Sequence, residues 1–565
     1  MKKILCALLV LSLFFVGCSD EPEDNTNPDA PPTVSTDFVK DSTEIFSDKD
    51  YKTDYDPNTA IPVTLQGSTA TAASDAVRIT GSNVVLTAEA TYVITGTLDD
   101  GMLVVDAPAD AKPHIILGGV SITSSTSSPI YVKEADKVFL TLATGTVNTL
   151  TNGGSFTAID DNNIDAVIFS KQDLTLNGDG SLQIQSPAGH GIVSKDDLVI
   201  TGGVINVTAA SHALDANDSV RITNATITAT AGKDAIHAEN TDDTAKGFVY
   251  IENGTFSLTS QGDGVSASSS MQINNGTFNV TTSGTTTSDT DSFKGFKSSD
   301  SLLISGGTFT INSSDDAIHS NTSVIVNGGS FQIATKDDAF HADETLSVTG
   351  GAIEITESYE GLEALNVSIT GGDIRLVATD DGINAAGGND SSGFGGMHGG
   401  DAFGGGMRPG SPGGMGRTVE TDSSAGGSIQ ISEGSVYIQA SGDGIDANGT
   451  ISISGGYVVV CGPTSGDTAV LDYDTTASIT GGTFIGTGAM QMAQTFSSST
   501  QGVIAARGTG AANTKITLTD ADGNILIDYT PALSFQLMIL STPDMQSGET
   551  YHIMVGTASA ELEAT

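Results

Sequence analysis

One short motif recurs along this sequence with acidic or imidazole side chains at fixed positions. It appears as Asp234-Ala235-Ile236-His237-Ala238, Asp316-Ala317-Ile318-His319-Ser320, Asp338-Ala339-Phe340-His341-Ala342, Asp381-Gly382-Ile383-Asn384-Ala385 and Asp443-Gly444-Ile445-Asp446-Ala447. In this frame the first position reads His212, Asp234, Asp263, Lys294, Asp316, Asp338, Glu360, Asp381 and Asp443, and the preceding position adds Asp315, Asp337 and Asp380. The fourth position reads Asp215, His237, Ser266, Lys297, His319, His341, Glu363, Asn384 and Asp446. If the repeats stack as neighbouring strands, equivalent carboxylates come to lie about 5 Å apart. Like charges that close raise one another's pKa or demand a cation. Paired hard oxygens at Asp315/Asp316, Asp337/Asp338 and Asp380/Asp381 suit Ca²⁺, with Asp234, Asp263 and Asp443 as further candidate ligands. Lys294 interrupts the row, and its ammonium could neutralise that stretch without metal.

The competing reading is turn chemistry, since Asp-Gly and Asp-Ala favour turns through side-chain-to-backbone bonds. It accounts for a single Asp more readily than for three aligned pairs. Zinc on the imidazoles is a weaker candidate, because His237, His319 and His341 do not all fall on adjacent repeats. Asp520-Ala521-Asp522-Gly523-Asn524 has a faint EF-hand look but lacks the Gly and Glu of such a loop, and reads as a hairpin turn between Ile516–Leu518 and Ile525–Ile527.

The motif sits about ten residues after a second one, an apolar run closed by a Gly pair, as in Leu303-Ile304-Ser305-Gly306-Gly307-Thr308-Phe309. The second Gly, or its equivalent, falls at Gly180, Gly203, Ala225, Gly254, Gly276, Gly307, Gly329, Gly351, Gly372, Gly434, Gly456 and Gly482, with weaker copies around Gly119 and Gly145. The basic period is 22 residues, with insertions. Apolar residues alternate on both sides of the pair (Leu302, Ile304, Phe309, Ile311; then Val324, Val326, Phe331, Ile333), which is the period of a strand. A unit this long holds about three short strands and cannot bury its face alone. The expected fold is all-β, a right-handed parallel β-helix of about 14 coils over residues 61–500, a rod of roughly 67 Å, with a small β segment at 501–565. A propeller fits poorly, because its blades need about 40 residues or more.

Composition narrows the function. There are 22 Lys+Arg against 68 Asp+Glu, for a net charge of −46. Such a chain has no basic footprint for nucleic acid. At 38% hydrophobic it is not a disordered acidic chain, and 68 Gly disfavour long helices. Lys2 and Lys3, a short apolar run and Phe15-Val16-Gly17-Cys18 resemble a bacterial lipoprotein signal at 1–17, which implies lipidation of Cys18. Residues 18–60, acidic after Cys18 and rich in Pro, Asp and Thr, read as a tether. The Gly/Met-rich stretch 387–427 reads as a flexible excursion, and Cys461 is left without an intramolecular disulfide partner.

The Gly-pair coils and the Asp-Gly-Ile-x-Ala ladder join a leading segment (Val77-Arg78-Ile79-Thr80, Gly96-Thr97-Leu98-Asp99-Asp100-Gly101, Val104-Val105-Asp106-Ala107). The closing Ser541-Thr542-Pro543 and Gly548-Glu549-Thr550-Tyr551 complete the pattern. Together they resemble the bacterial calcium-containing parallel β-helix carbohydrate-binding family over roughly residues 61–558. The resemblance implies Ca²⁺ held by acidic side chains on neighbouring coils, here Asp315, Asp316, Asp337, Asp338, Asp380 and Asp381, and a polysaccharide partner such as polygalacturonate or cellulose. Lys294 and Glu360 depart from the repeating Asp. The expected protein is a non-catalytic, calcium-dependent, monomeric lipoprotein of the bacterial envelope, at the outer membrane or cell surface. Lys294, Lys336, Tyr437 and Tyr457 are the candidates for glycan contact, since Trp is absent. Two other readings stay open: a calcium-dependent lyase using one of the few lysines as base, and a structural or adhesive surface rod.

Overall fold

A computed structural model describes residues 39–285, 291–385, 426–466 and 468–565. The lipobox, Cys18 and nearly all of the 387–427 excursion lie outside the described residues. The described chain is strand almost throughout, with one four-residue helix at Ser42–Ile45. Among the described residues no helix is long and apolar enough to cross a membrane.

The strands form a solenoid-like stack of parallel ladders. In the middle of the chain each strand pairs with the one three elements later, as Ser301–Ile304 with Ser323–Val326, Thr308–Ser313 with Ser330–Thr335, and Phe296–Ser298 with Ile318–Ser320. Alternation places one set of residues inward, and the interior is a continuous apolar core. Equivalent residues stack on themselves. The rings of Phe256, Phe278, Phe309 and Phe331 lie 4.6, 4.8 and 4.6 Å apart and within 5° of parallel, the spacing of adjacent strands.

The Gly pair marks the corner between two ladders. At Gly351 the backbone has φ 106°, and a Cβ would fall 3.1 Å from the carbonyl oxygen of Gly329 on the coil below. Only Gly satisfies both conditions. Where Ala225 stands in this row, Asn224 takes the left-handed turn at φ 54°. At the Gly180 copy it is Gly178, not Gly180, that carries positive φ.

The chain on either side of the 387–427 stretch rejoins the same ladders. Ile383–Ala385 pairs with Ile445–Ala447, and Leu362–Ala378 pairs with Ser428–Ala440. The end of the chain changes pattern: Phe535–Ser541 pairs antiparallel with Thr483–Gly488 and Val503–Gly510. Beyond it Ile525–Tyr529, Ile516–Thr519, Thr550–Val555 and Ala558–Glu563 form a four-stranded antiparallel sheet. Its core packs on the outward-facing Val459 and Ile485 of the stack. Asp520–Asn524 closes the hairpin between Ile516–Thr519 and Ile525–Tyr529, with the Asp520 carboxylate accepting the Asp522 and Asn524 N–H groups.

One expectation is corrected. Residues 39–60 fall in the span read as a tether, yet their first part is docked on the stack. Ile45 and Phe46 are buried against Val199, Phe248 and Tyr250. Asp50 is 2% exposed, ion-paired to Lys137 at 2.8 Å and hydrogen-bonded by Thr175 at 2.7 Å. The physical reason lies in two apolar residues and one Asp among many polar ones, too few to change the composition of the segment.

Candidate functional site

The acidic motif lies on one ladder of short strands. Cross-strand register runs Asp215, His237, Ser266, Lys297, His319, His341, Glu363, Asn384, Asp446, Asp472 without a slip. The first-position residues sit in the turns that lead into these strands. Their backbones are also in register, as Ala235 N–H donates to Asp263 O and Ala317 N–H to Asp338 O.

The first-position carboxylates have a structural task that links coils. One oxygen accepts the N–H of the equivalent residue on the next coil: Asp234 from Asp263 (2.7 Å), Asp263 from Lys294 (2.8 Å), Asp316 from Asp338 (3.1 Å) and Asp338 from Glu360 (3.0 Å). Asp381 accepts in the same way from Asp443, and Asp443 from Ala469. This is backbone capping between coils rather than within a turn, and it leaves the second oxygen for other partners. Three stretches of the row use that oxygen differently.

In the first stretch, imidazoles stack. His190, His212 and His237 lie 5.1 and 4.2 Å apart. His237 Nδ1 is 2.8 Å from Asp215, and His212 Nδ1 is 3.3 Å from Asp234. Burial works against the charge on His237, but the hydrogen bond and field of Asp215 raise its pKa overall. Although Asp234, His212 and His237 bring ligand atoms within 4.8 Å, the last two rings are 12° from parallel, so their in-plane lone pairs do not converge on one ion. His212 Nδ1 also accepts the Asp234 N–H at 3.2 Å. Asp263, next in the row, is pushed up to about 6 by burial and by Asp234.

In the second stretch the protein supplies its own cations. Lys294 Nζ lies 2.7 Å from Asp315 Oδ1 and 2.6 Å from Asp316 Oδ2, with the lysine side chain 7% exposed. His319 Nδ1 is 2.9 Å from the same Asp316 oxygen. Burial disfavours the Asp316 charge, but Lys294 and His319 hold its carboxyl far below the usual range. Asp337 brings an oxygen within 4.8 Å of this pair. One coil on, His341 sits 2.6 Å from Glu363, 3.4 Å from Asp338 and 3.3 Å from Asp343. Those partners outweigh burial and keep the imidazole protonated.

In the third stretch the neighbours are acids. Asp381, Asp443 and Asp446 bring carboxylate oxygens within 4.8 Å of one another. Asp381 is pushed up to about 8 by burial first, then by Asp443 and Asp380. Glu360, at the head of this stretch, is raised by burial, Glu363 and Asp381, while Asn384 donates to both its oxygens at 3.0 Å. Gly442 packs closely against the acids: a Cβ there would fall 2.3 Å from Asp381 Oδ1 and 2.4 Å from Asp380 Oδ1, so only Gly leaves those oxygens unobstructed by a side chain. Oxygens bound to one Ca²⁺ at 2.3–2.6 Å stand at most roughly 5 Å apart, so this donor set fits the ion in spacing and hardness.

The remaining sequence candidates are placed elsewhere. Lys336 is exposed and paired with Glu357 at 2.5 Å. Tyr437 and Tyr457 lie on a different ladder, on Ser428–Ala440 and Tyr457–Cys461. Tyr437 is half-buried on the core of the closing sheet, with Arg375 5.9 Å from its ring, and Tyr457 is 45% exposed. Asp446 and Glu363 belong to the site but are not among the candidate ligands read from the sequence. The fourth position of the motif carried that signal, because residues three apart across the turn face each other, as Asp316 and His319 do.

With this geometry in hand, comparison with known proteins is decisive at the family level. A model of the carbohydrate-binding domain-containing proteins matches residues 80–339 and 324–403, more than half of the chain. The chain belongs to that family. A carbohydrate-binding domain-containing protein of Acetivibrio thermocellus is 37% identical over 137 residues, 24% of this chain and 48% of the relative. The chain thus spans about half the length of the curated relative it matches. Among solved structures, that of a polysaccharide lyase-like protein from C. thermocellum, in a gadolinium derivative, is 28% identical, covering 51% of this chain and 96% of the other at a TM-score of 0.36.

Proposed function

We propose that this member of the family binds polysaccharide without cleaving it, through Ca²⁺ held by the third stretch of the acid row. The observation that carries the reading is the convergence of Asp381, Asp443 and Asp446 beside Asp380, in a setting where burial and the neighbouring carboxylates push Asp381 up to about 8. Bound there, the ion would supply a positive centre for an anionic glycan on a protein of charge −46. The chain's part is to hold the oxygens: backbone N–H groups fix one oxygen of Asp381 and of Asp443, and Gly442 places no side chain against them. A glycan rich in uronate, such as polygalacturonate, is the partner this chemistry favours. The setting proposed is a lipid anchor at Cys18 on the bacterial surface, carrying a right-handed parallel β-helix of about 14 coils.

Binding is favoured over lyase chemistry by the state of the lysines. A general base must be deprotonated and within reach of the substrate. Lys294 is buried between two carboxylates, which raise its pKa against the effect of burial. Lys297 lies 3.9 Å from Asp263 and bonds to Ser292, and Lys336 is paired with Glu357. The test is a polygalacturonate pull-down with Ca²⁺ and with EDTA, alongside a scan for unsaturated products. Capture with Ca²⁺, loss in EDTA and no product are expected. Equal capture in EDTA would sink the calcium bridge, and unsaturated product would sink the non-catalytic reading.

A further inference from the structure

The docked segment before the stack creates a groove far from the acid row in character. Tyr51, Thr53 and Tyr55 form one wall, and the strands His114–Ser124, Lys137–Leu142 and Asp173–Gly178 contribute the floor. The cavity between them is about 450 Å³, within the size range of ligand sites. Its wall is pinned from below. Asp50 O accepts from Thr201 Oγ1 (2.6 Å) and Asn177 Nδ2 (3.0 Å), and Asn177 also donates to Lys52 O (3.2 Å). Together with the Asp50–Lys137 ion pair, these bonds fix the groove before any ligand arrives.

Tyr51 and Tyr55 line this groove, 47% and 38% exposed. Leaving two large aromatic residues in solvent costs hydrophobic free energy. Tyrosine offers a rigid, amphipathic surface at low entropic cost, which makes it an effective contact residue. Phe46 braces Tyr51 from behind, ring to ring at 5.9 Å. The opposite side presents Thr144 and Asp179, both exposed, as hydrogen-bonding groups. No Lys, Arg or His is part of the lining among the described residues, and Asp179 would repel an anion.

We infer that this groove is a second glycan site, for a neutral pyranose chain laid against Tyr51 and Tyr55 and hydrogen-bonded through Thr144 and Asp179, and that it works without a metal. The inference rests on the polysaccharide-binding reading above but uses a different face, different residues and the opposite ligand charge. Affinity electrophoresis in EDTA against three neutral soluble polysaccharides (hydroxyethylcellulose, xyloglucan and galactomannan) tests it, with polygalacturonate run in parallel with and without Ca²⁺. Retardation by at least one neutral polymer in EDTA is expected, weakened about tenfold or more in Tyr51→Ala/Tyr55→Ala. Thr144→Arg, which fills the groove from the sheet side, should weaken it similarly, and circular dichroism should match wild type for both variants. Unchanged binding by both variants overturns the site. Calcium-dependent polygalacturonate binding with no neutral binding overturns this inference and leaves the calcium-bridge reading intact. No retardation by any polymer under any condition overturns the polysaccharide-binding reading itself.

Discussion

Around Lys294 and around Asp381 the same motif, in the same register, reaches two different electrostatic solutions. At Asp315 and Asp316 an ammonium enters from the coil below at 2.6–2.7 Å, and His319 adds a third contact. Three repeats on, Asp381 faces Asp443, Asp380 and Asp446, and burial and these acids push its pKa up to about 8. A stacked row of carboxylates is therefore not in itself a metal site. It becomes a candidate where carboxylate oxygens converge on one another, as those of Asp381, Asp443 and Asp446 do. The lesson is that a single substitution in the repeat, Lys at position 294, converts a ligand set into a structural ion-pair cluster.

The largest expected effect comes from removing that lysine. Lys294→Met leaves two adjacent carboxylates, one of them fully buried, without their cation, and should cost about 3–5 kcal/mol by denaturant unfolding. Ca²⁺ should recover part of the loss, because the vacated site then resembles that of Asp381. No recovery would mean that geometry, not the missing cation, separates the two regions.

Asp381→Asn is expected to act in the opposite sense. Asn keeps an oxygen for the Asp443 N–H but removes one of the converging charges. In EDTA the variant should match or exceed wild type by up to about 1 kcal/mol, while its stabilisation by Ca²⁺ should largely vanish. A variant that is weaker in EDTA and still stabilised by Ca²⁺ would break the comparison.

The pH dependence in EDTA follows from the sign of the shifts. Asp263 and Asp381 have folded-state values of about 6 and about 8, above their unfolded values near 4. The folded state holds the extra protons, so these groups should cause stability to fall as pH rises from about 4 through 8. Thermal melts should show the upper part of that fall, between about 6 and 8, flattened by Asp381→Asn or by Ca²⁺. The smallest effect is expected for Lys336→Ala, which breaks an exposed pair with Glu357 and should change stability by about 0.5 kcal/mol or less.

Much of this contrast was legible in the sequence. Period-2 alternation around Leu302–Ile311 predicts strands, and the 22-residue period predicts that Phe309 stands over Phe331, as it does. The interruption at Lys294 was readable from register alone. The docked strap was not, because its anchoring relies on Asp50 meeting Lys137, Thr175 and Thr201, residues 87 to 151 positions away with no periodic relation to it. The inter-coil N–H···Asp bonds were also hidden. The pattern shows that an Asp recurs, but not which backbone donor its oxygen meets.

The most direct test of the central claim is hydrogen exchange of the whole chain at pH 7, with Ca²⁺ and with EDTA. The account predicts that Ca²⁺ slows exchange in peptides spanning residues 378–385 and 440–447 and leaves those spanning 292–320 unchanged. Uniform exchange in both conditions, or protection confined to 292–320, would contradict it.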